Sequence, residues 1–565
     1  AIEKAGLQPL QPELARIGAL KTPEEIANYL SDSFARGLGG LFHVMPAADF
    51  KNARMQIAFA FQGGIGLPTP DYYTKDDHAQ VRKAYHAHIA KMLELGGAKA
   101  DAAARAADQV LAFETRLAKA SLSPVELRTP ENQYHFVTLA EADKLTPNFS
   151  WTRFFAAQKA DVKDGFSLSQ PKFFAEVDKM LVEVPVTEWQ AYLRFHAIDG
   201  AAPYLSSSLA NQYFEFHKKT LNGQKEQEQR WKRVLGAVNE GMGMALGELY
   251  VAETFPPESK ARAMVLVDNI KAALKTRIEN LDWMSQATKE KALEKWATFL
   301  PKIGYPDKWR DWSGLSVQPD NYFGNVLAAA QFNYAWEMGK VGKPSDRLEW
   351  GMTPQTVNAY YNPLDNTINF PAAILQTPFF DAKADDALNY GGIGAVIGHE
   401  AIHGFDDEGS QFDADGNNRN WWTKEDREKF DARTEKLVKQ FDAYEPLPGK
   451  HVNGKLTLGE NIADLGGANV AFDALQIALK KNPAESKAKI DGYTENQRFF
   501  LNFARIWRGN IRPQRQEVLL NSDPHAPMQY RAIAAPSNMP AFAEAFGCKA
   551  GDKMVRPEDQ RVKIW

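Results

Sequence analysis

Two histidines four residues apart, with a glutamate directly after the first, stand in the run Val396-Ile397-Gly398-His399-Glu400-Ala401-Ile402-His403. On a helix that spacing is just over one turn. Both imidazoles therefore leave the same face and can grip one Zn²⁺, while Glu400 points at a water in the open position. The chemistry such a group performs is hydrolysis. No proline interrupts residues 391–407, which read as one buried helix. Two histidines do not complete a catalytic zinc site, and in glutamate-type zinc peptidases the third donor lies on a later helix. Leu458-Gly459-Glu460-Asn461-Ile462-Ala463-Asp464 offers it: Glu460 follows His403 by 57 residues, and Asp464 sits one turn further along an otherwise apolar helix. Buried carboxylates need partners, and a zinc ion with its histidines would be one. The plainer reading is a core helix with two satisfied histidines, plus a carboxylate favoured by a helix N-terminus. It requires both motifs to be coincidences.

These side chains need elements to hold them. A chain of 565 residues is too long for one core, so two lobes are expected. Net charge is −4 with 24% charged residues, and no basic stripe interleaved with aromatics points to nucleic acid. No apolar run reads as a membrane span, no signal peptide is seen, and a start at Ala1 fits a processed or trimmed chain. Cys548 is the only cysteine, which excludes an intrachain disulfide and a cysteine metal cluster. The sequence does not fix the oligomeric state; a monomer is the expectation.

Residues 1–199 read as helix after helix, forming one lobe, with Phe61 to Tyr73 a turn-rich break and Ala79 to Ala120 amphipathic helices. Tyr134, Trp151, Phe154 and Phe155 read as core. Residues 200–335 are helical segments linking the lobes, with Val234, Val238, Met242 and Leu246 on one apolar stripe. Residues 336–565 form the catalytic domain. There Thr356 to Tyr361 and Thr367 to Phe370 have strand composition around a turn at Asn362 to Asn366. The hairpin offers an edge to which an extended peptide could pair. Phe412 to Asn418 looks like a calcium loop but lacks the later glutamate, and reads as a polar turn.

The motifs Val357-Asn358-Ala359-Tyr360, Phe370-Pro371-Ala372-Ala373-Ile374-Leu375-Gln376, the His399 run through Asp407, Gly459 to Gly467, and His525 to Arg531 resemble those of the neprilysin and endothelin-converting enzyme family of zinc metallopeptidases. The resemblance implies a mainly α, α+β, two-lobed fold, with a thermolysin-like zinc catalytic domain and a helical lobe covering the cleft. It implies one Zn²⁺ per chain on His399, His403 and Glu460, with Glu400 as general base. Asp464 and Asp406 would orient the two histidines, and His525 would donate to the oxyanion. Asn358 and Ala359 would hold the substrate backbone, and Arg531 would meet the carbonyl after the scissile bond. Ile374, Phe379, Val396, Ile506 and Trp507 would form the pocket for a large hydrophobic side chain. The implied substrates are oligopeptides cut before such residues, and the implied location is periplasmic or secreted.

Two departures refine this expectation. Arginines that bind a substrate's C-terminal carboxylate in neprilysin have no counterpart in the sequence, which favours endopeptidase over dipeptide-releasing action. Val562-Lys563-Ile564-Trp565 and Arg508 stand where vertebrate members carry cysteines, which suggests a bacterial type. Two other functions fit parts of the sequence: a non-catalytic peptide binder keeping the fold, and a zinc hydrolase acting on non-peptide amides.

Overall fold

The computed structural model describes residues 2–487 and 489–565. Most of the chain is helical. The helices that build or brace the site are α1 (Ala79–Leu95), α2 (Ala100–Ala120), α3 (Val186–Ala201), α4 (Arg230–Thr254), α5 (Pro257–Asn280), α6 (Gln286–Ala297), α7 (Tyr322–Met338), α8 (Ala395–His403), α9 (Leu458–Lys481), α10 (Glu495–Ile506) and α11 (Met528–Asn538). Their starts follow local chemistry. Pro257 opens α5, where its missing N–H costs nothing, Ser285 caps α6 through the N–H of Thr288, and Thr494 with Gln497 forms a capping box on α10.

Among the described residues seven strands form two small sheets. The first has β1 (Phe42–Asp49), β2 (Asn52–Gln62), β3 (Phe136–Val137) and β4 (Phe166–Leu168) in the order β1-β2-β4-β3. It corrects the expectation of helix after helix through residue 199. Phe42 pairs with Gln62 and Ala47 with Ile57 in an antiparallel hairpin whose turn, Asp49 to Asn52, carries no glycine. The second sheet has β5 (Leu300–Gly304), β6 (Tyr360–Asn362) and β7 (Thr367–Pro371), in the order β5-β7-β6. Within residues 200–335, expected as helical segments, Leu300 to Gly304 instead form β5, parallel to β7. Strand β6 is shorter than expected and starts only at Tyr360, leaving Thr356 to Ala359 as an irregular approach.

Two cores result. One gathers Phe42, Trp151, Phe154 and Phe174 with α1 to α3, and takes Phe323, Met338 and Val341 from α7 and its exit. The other surrounds α8 and α9, fed by Leu266, Ile270, Phe405, Phe499 and Trp565. The chain crosses from the first to the second along α4, returns along α7, and crosses again before β6. Helix α4 buries only Gly243 and Gly247 and bends at Met242. Its expected apolar stripe is therefore not a core stripe: Val238 is 40% exposed, because α4 bridges the lobes rather than lying inside one. The two glycines let Thr353 and Pro354 approach closely.

The helix carrying the first two donors is not one regular helix. Tyr390–Gly394 is a π-helical turn that runs into α8, and α8 ends at His403. Helix α9 is long and apolar enough to cross a membrane by length and composition, which the sequence reading did not expect. It is the central helix of the second core, with Ala463, Val470, Ala471 and Leu475 fully enclosed.

Candidate metal centre and its cleft

Helices α8 and α9 touch backbone to backbone. A Cβ on Gly398 would lie 2.5 Å from the carbonyl oxygen of Gly467, and one on Gly467 would collide with the backbone N of His399. Only glycine permits that approach, and it carries Glu460 and Asp464 up to the histidines. His399 Nε2 lies 3.0 Å from His403 Nε2 and 3.1 Å from Glu460 Oε2, while His403 Nε2 is 3.6 Å from Glu460 Oε1. The two rings stand nearly perpendicular, at 89°.

Each imidazole is aimed from behind. His399 Nδ1 meets Asp464 Oδ1 at 2.8 Å, and His403 Nδ1 meets Asp406 Oδ2 at 2.7 Å. A ring whose Nδ1–H is given to a carboxylate presents a lone pair at Nε2. Two such lone pairs 3.0 Å apart repel unless a cation or proton lies between them. Glu460 Oε2 is buried there without a well-directed hydrogen bond. Two nitrogens and one carboxylate oxygen are the donor set of a zinc peptidase, so these residues fit the ion.

Further bonds stiffen the group. Asp406 also accepts from the backbone N–H groups of Glu408 and Gly409, at 2.9 and 2.6 Å. Asp464 takes two bonds of 2.7 Å from Arg531, whose guanidinium lies 3.9 Å over the Trp507 ring. Enclosed Lys295 donates to the carbonyls of Gly409 and Phe412, tying down the loop after α8.

Electrostatics separate the carboxylates. Burial raises the Glu400 carboxyl above the ordinary range. Burial would raise Glu460 too, but His403 beside it, with His399 and His525 close by, holds it well below. Asp464 is brought down to about 2, Arg531 outweighing the effect of burial. His525 is raised to about 9: burial opposes the charge, and Asp523 at 2.8 Å with Glu460 at 3.2 Å overcomes it.

All of these groups line one cavity of about 750 Å³. Every site residue expected from the sequence borders it, including Asn358, Ala359, Ile374, Phe379, Val396, Ile506 and Trp507. Asn358 is exposed just upstream of the edge strand β6, and Ile374 and Ile506 are buried in the wall. Sequence reading assigned nothing to Asp523, Glu408 or Arg128. Only Asp523, two residues before His525, left a local signal. Arg128 lies 279 residues from Asp407, to which it donates at 2.8 Å.

The family signature of peptidase family M13 matches residues 1–306 and 358–562. The chain belongs to peptidase family M13. It is 33% identical to Neprilysin-3 of Drosophila melanogaster over 594 residues, covering 100% of this chain and 75% of that protein. It is 34% identical to endothelin-converting enzyme 1 of Homo sapiens over 539 residues, covering 93% and 69%. The peptidase also superposes on Mycobacterium tuberculosis zinc metalloprotease Zmp1 in complex with an inhibitor, with a TM-score of 0.96 at 41% identity, covering 100% and 86%. Against the open state of Zmp1 the TM-score is 0.74 at 42% identity, covering 100% and 88%. The chain thus superposes more closely on the inhibitor complex than on the open state. It is a zinc metalloendopeptidase with a two-lobed, mainly helical fold and a His-Glu-x-x-His site.

Proposed function

We propose that this peptidase cuts oligopeptides on the N-terminal side of large hydrophobic residues, using one catalytic zinc ion per chain and Glu400 as general base. The observation that carries the reading is the shared cavity: Glu400 and the three donors border the same space as Ile374, Phe379, Val396, Ile506 and Trp507. In this reading residues 336–565 are the catalytic lobe, 1–199 the cover, and 200–335 the link.

His399, His403 and Glu460 would hold the zinc, which when bound supplies a Lewis acid that lowers the pKa of water toward ~7 and polarises a carbonyl. Glu400, with its proton affinity raised by burial, takes a proton from the attacking water and passes it to the leaving amine. His525, kept protonated by Asp523 and Glu460, donates to the oxyanion as it forms. Asn358 and Ala359 hold the peptide backbone beside β6. Arg531, fixed by Asp464, meets the carbonyl following the cleaved bond. The five apolar residues accept the side chain after that bond.

The cover limits entry to short, unfolded chains. A ten-residue peptide with one internal Phe is expected to be cut before it, with intact casein barely touched. Equal rates on both substrates would remove the size limit, and cleavage away from Phe would remove the pocket assignment. A chelator should abolish the activity and added zinc restore it. A place of work outside the cytoplasm goes with this reading, and fractionation of cells making the tagged natural protein tests it.

A further inference from the structure

Among the described residues a second group has the donor types of a metal site, and it lies in the other lobe. His88 comes from α1, Asp199 from the end of α3, and His217 from a π-helical segment, Phe214–Thr220. Asp199 stands between the rings: Oδ1 is 2.8 Å from His88 Nε2, and Oδ2 is 2.9 Å from His217 Nε2. The two imidazoles are 5.1 Å apart, centre to centre, and cross at 87°. At the peptidase centre the corresponding values are 4.5 Å and 89°. None of the three residues faces the substrate cleft.

We propose that His88, Asp199 and His217 bind a second late first-row divalent cation, zinc foremost, which clamps α1, α3 and the π-helix together. Two imidazole nitrogens and a carboxylate oxygen suit that class of ion. The candidate donor atoms lie within 4.8 Å of one another, and each ring nitrogen is 2.8 or 2.9 Å from its own carboxylate oxygen, so reaching the roughly 3.1–3.4 Å spacing of zinc donors takes a shift of side chains and no refolding. The rings are already held in orientation, His88 stacked on Phe216 at 4.9 Å and His217 on Tyr213 at 4.2 Å. Gln212 reaches His88 Nδ1 at 3.1 Å. With its amide turned by half a rotation, Gln212 offers oxygen to an Nδ1–H and leaves the Nε2 lone pair for the ion.

Loading needs each ring to carry its proton on Nδ1 rather than Nε2, an exchange that solvent can perform. An entry path exists: His88 is closed off at 1% side-chain exposure, but Asp199 and His217 keep 13% and 17%. That strip leaves a corner for water as a further ligand. A π-helical segment is rare, and such segments concentrate where a side chain must be set at an unusual angle for function. Here the segment turns His217 toward Asp199.

Metal counting on the full chain decides between a bound ion and a hydrogen-bonded triad. After equilibration with zinc chloride and desalting, elemental analysis should find two ions per chain in the natural sequence. The pair His399→Asn/His403→Asn should keep one, and adding His217→Asn should remove it. His217→Asn alone should hold one ion and still cleave peptide. Cobalt in the His399→Asn/His403→Asn chain should give visible d–d absorption, and zinc should raise the Tm of that chain by at least about 2 °C. One ion in the natural chain and none in the His399→Asn/His403→Asn chain would overturn the proposal and leave a closed hydrogen-bonded triad. A second ion insensitive to His217→Asn would overturn it as well. The first comparison leaves the cluster intact, so it tests the proposal even where a His217 variant fails to fold.

Discussion

Arg128 donates to Asp407 Oδ2 at 2.8 Å and stands 2.9 Å from Glu408 Oε1, joining the first lobe to the loop that follows α8. Asp407 is the neighbour of Asp406, which aims His403. The contact therefore links the first lobe to the residue that orients His403.

Arg128→Ala leaves Asp406, Asp407 and Glu408 close together without their cation. The expected loss is roughly 2 kcal/mol of closed-state stability. Small-angle scattering should show a larger radius of gyration, and peptides excluded by the natural enzyme should be cut faster. An unchanged radius would detach this arginine from lobe closure.

Glu408 gives that junction a pH dependence. Burial raises its carboxyl from 4.5 to about 8; Arg128 opposes the shift, and Asp406 and Asp407 add to it. An acid with a raised folded-state pKa holds an extra proton in the folded protein between those values. Its contribution to stability is complete below pH 4.5 and lost as pH climbs through about 8. Melting temperatures from about pH 5 to 9 should fall less steeply in Glu408→Gln than in the natural chain.

Glu400→Gln keeps the shape of the site and removes the base. Turnover should drop by ~10²–10⁴ with zinc content unchanged, read by elemental analysis beside a peptide assay. An active Glu400→Gln enzyme would assign the proton transfer elsewhere.

His525→Ala removes a group bonded to Asp523 and adjacent to Glu460, but not one of the three donors. A fall of ~10²–10³ in kcat with little change in KM is expected. A change confined to KM would make His525 a binding residue only.

Gly398→Ala tests the contact between α8 and α9. The added methyl would meet the Gly467 carbonyl, which is backbone and has no rotamer to yield. The helices must separate, and zinc affinity should fall ~10-fold or more, as when the groups that orient metal ligands are disturbed. Titration against a competing chelator measures this directly.

The second lobe was legible because its chemistry is written locally. His399 and His403 share one turn, Glu460 and Asp464 share another, and helical periodicity alone puts each pair on one face. Gly398, Gly466 and Gly467 then explain how the two turns meet. The first lobe was less open to reading. In β1 and β2 the alternation is blurred by Ala47, Ala48, Ala58 and Ala60, and the turn has Phe50 and Lys51 at its centre, with Asp49 and Asn52 only at its flanks. Strand β5 shows itself only through its parallel partner β7, more than sixty residues later. Arg128 with Asp407, and His88 with Asp199 and His217, join positions far apart in the chain, so no spacing rule finds them.

The route of the backbone has an evolutionary corollary. Because α7 returns after residues 257–304 to complete the first hydrophobic cluster with Phe323 and Met338, a cut anywhere between the two halves strands side chains that belong on the other side. The enzyme is thus no pair of exchangeable modules. Its cover and its chemistry were bound to be inherited together, and a change in one must be tolerated by the other.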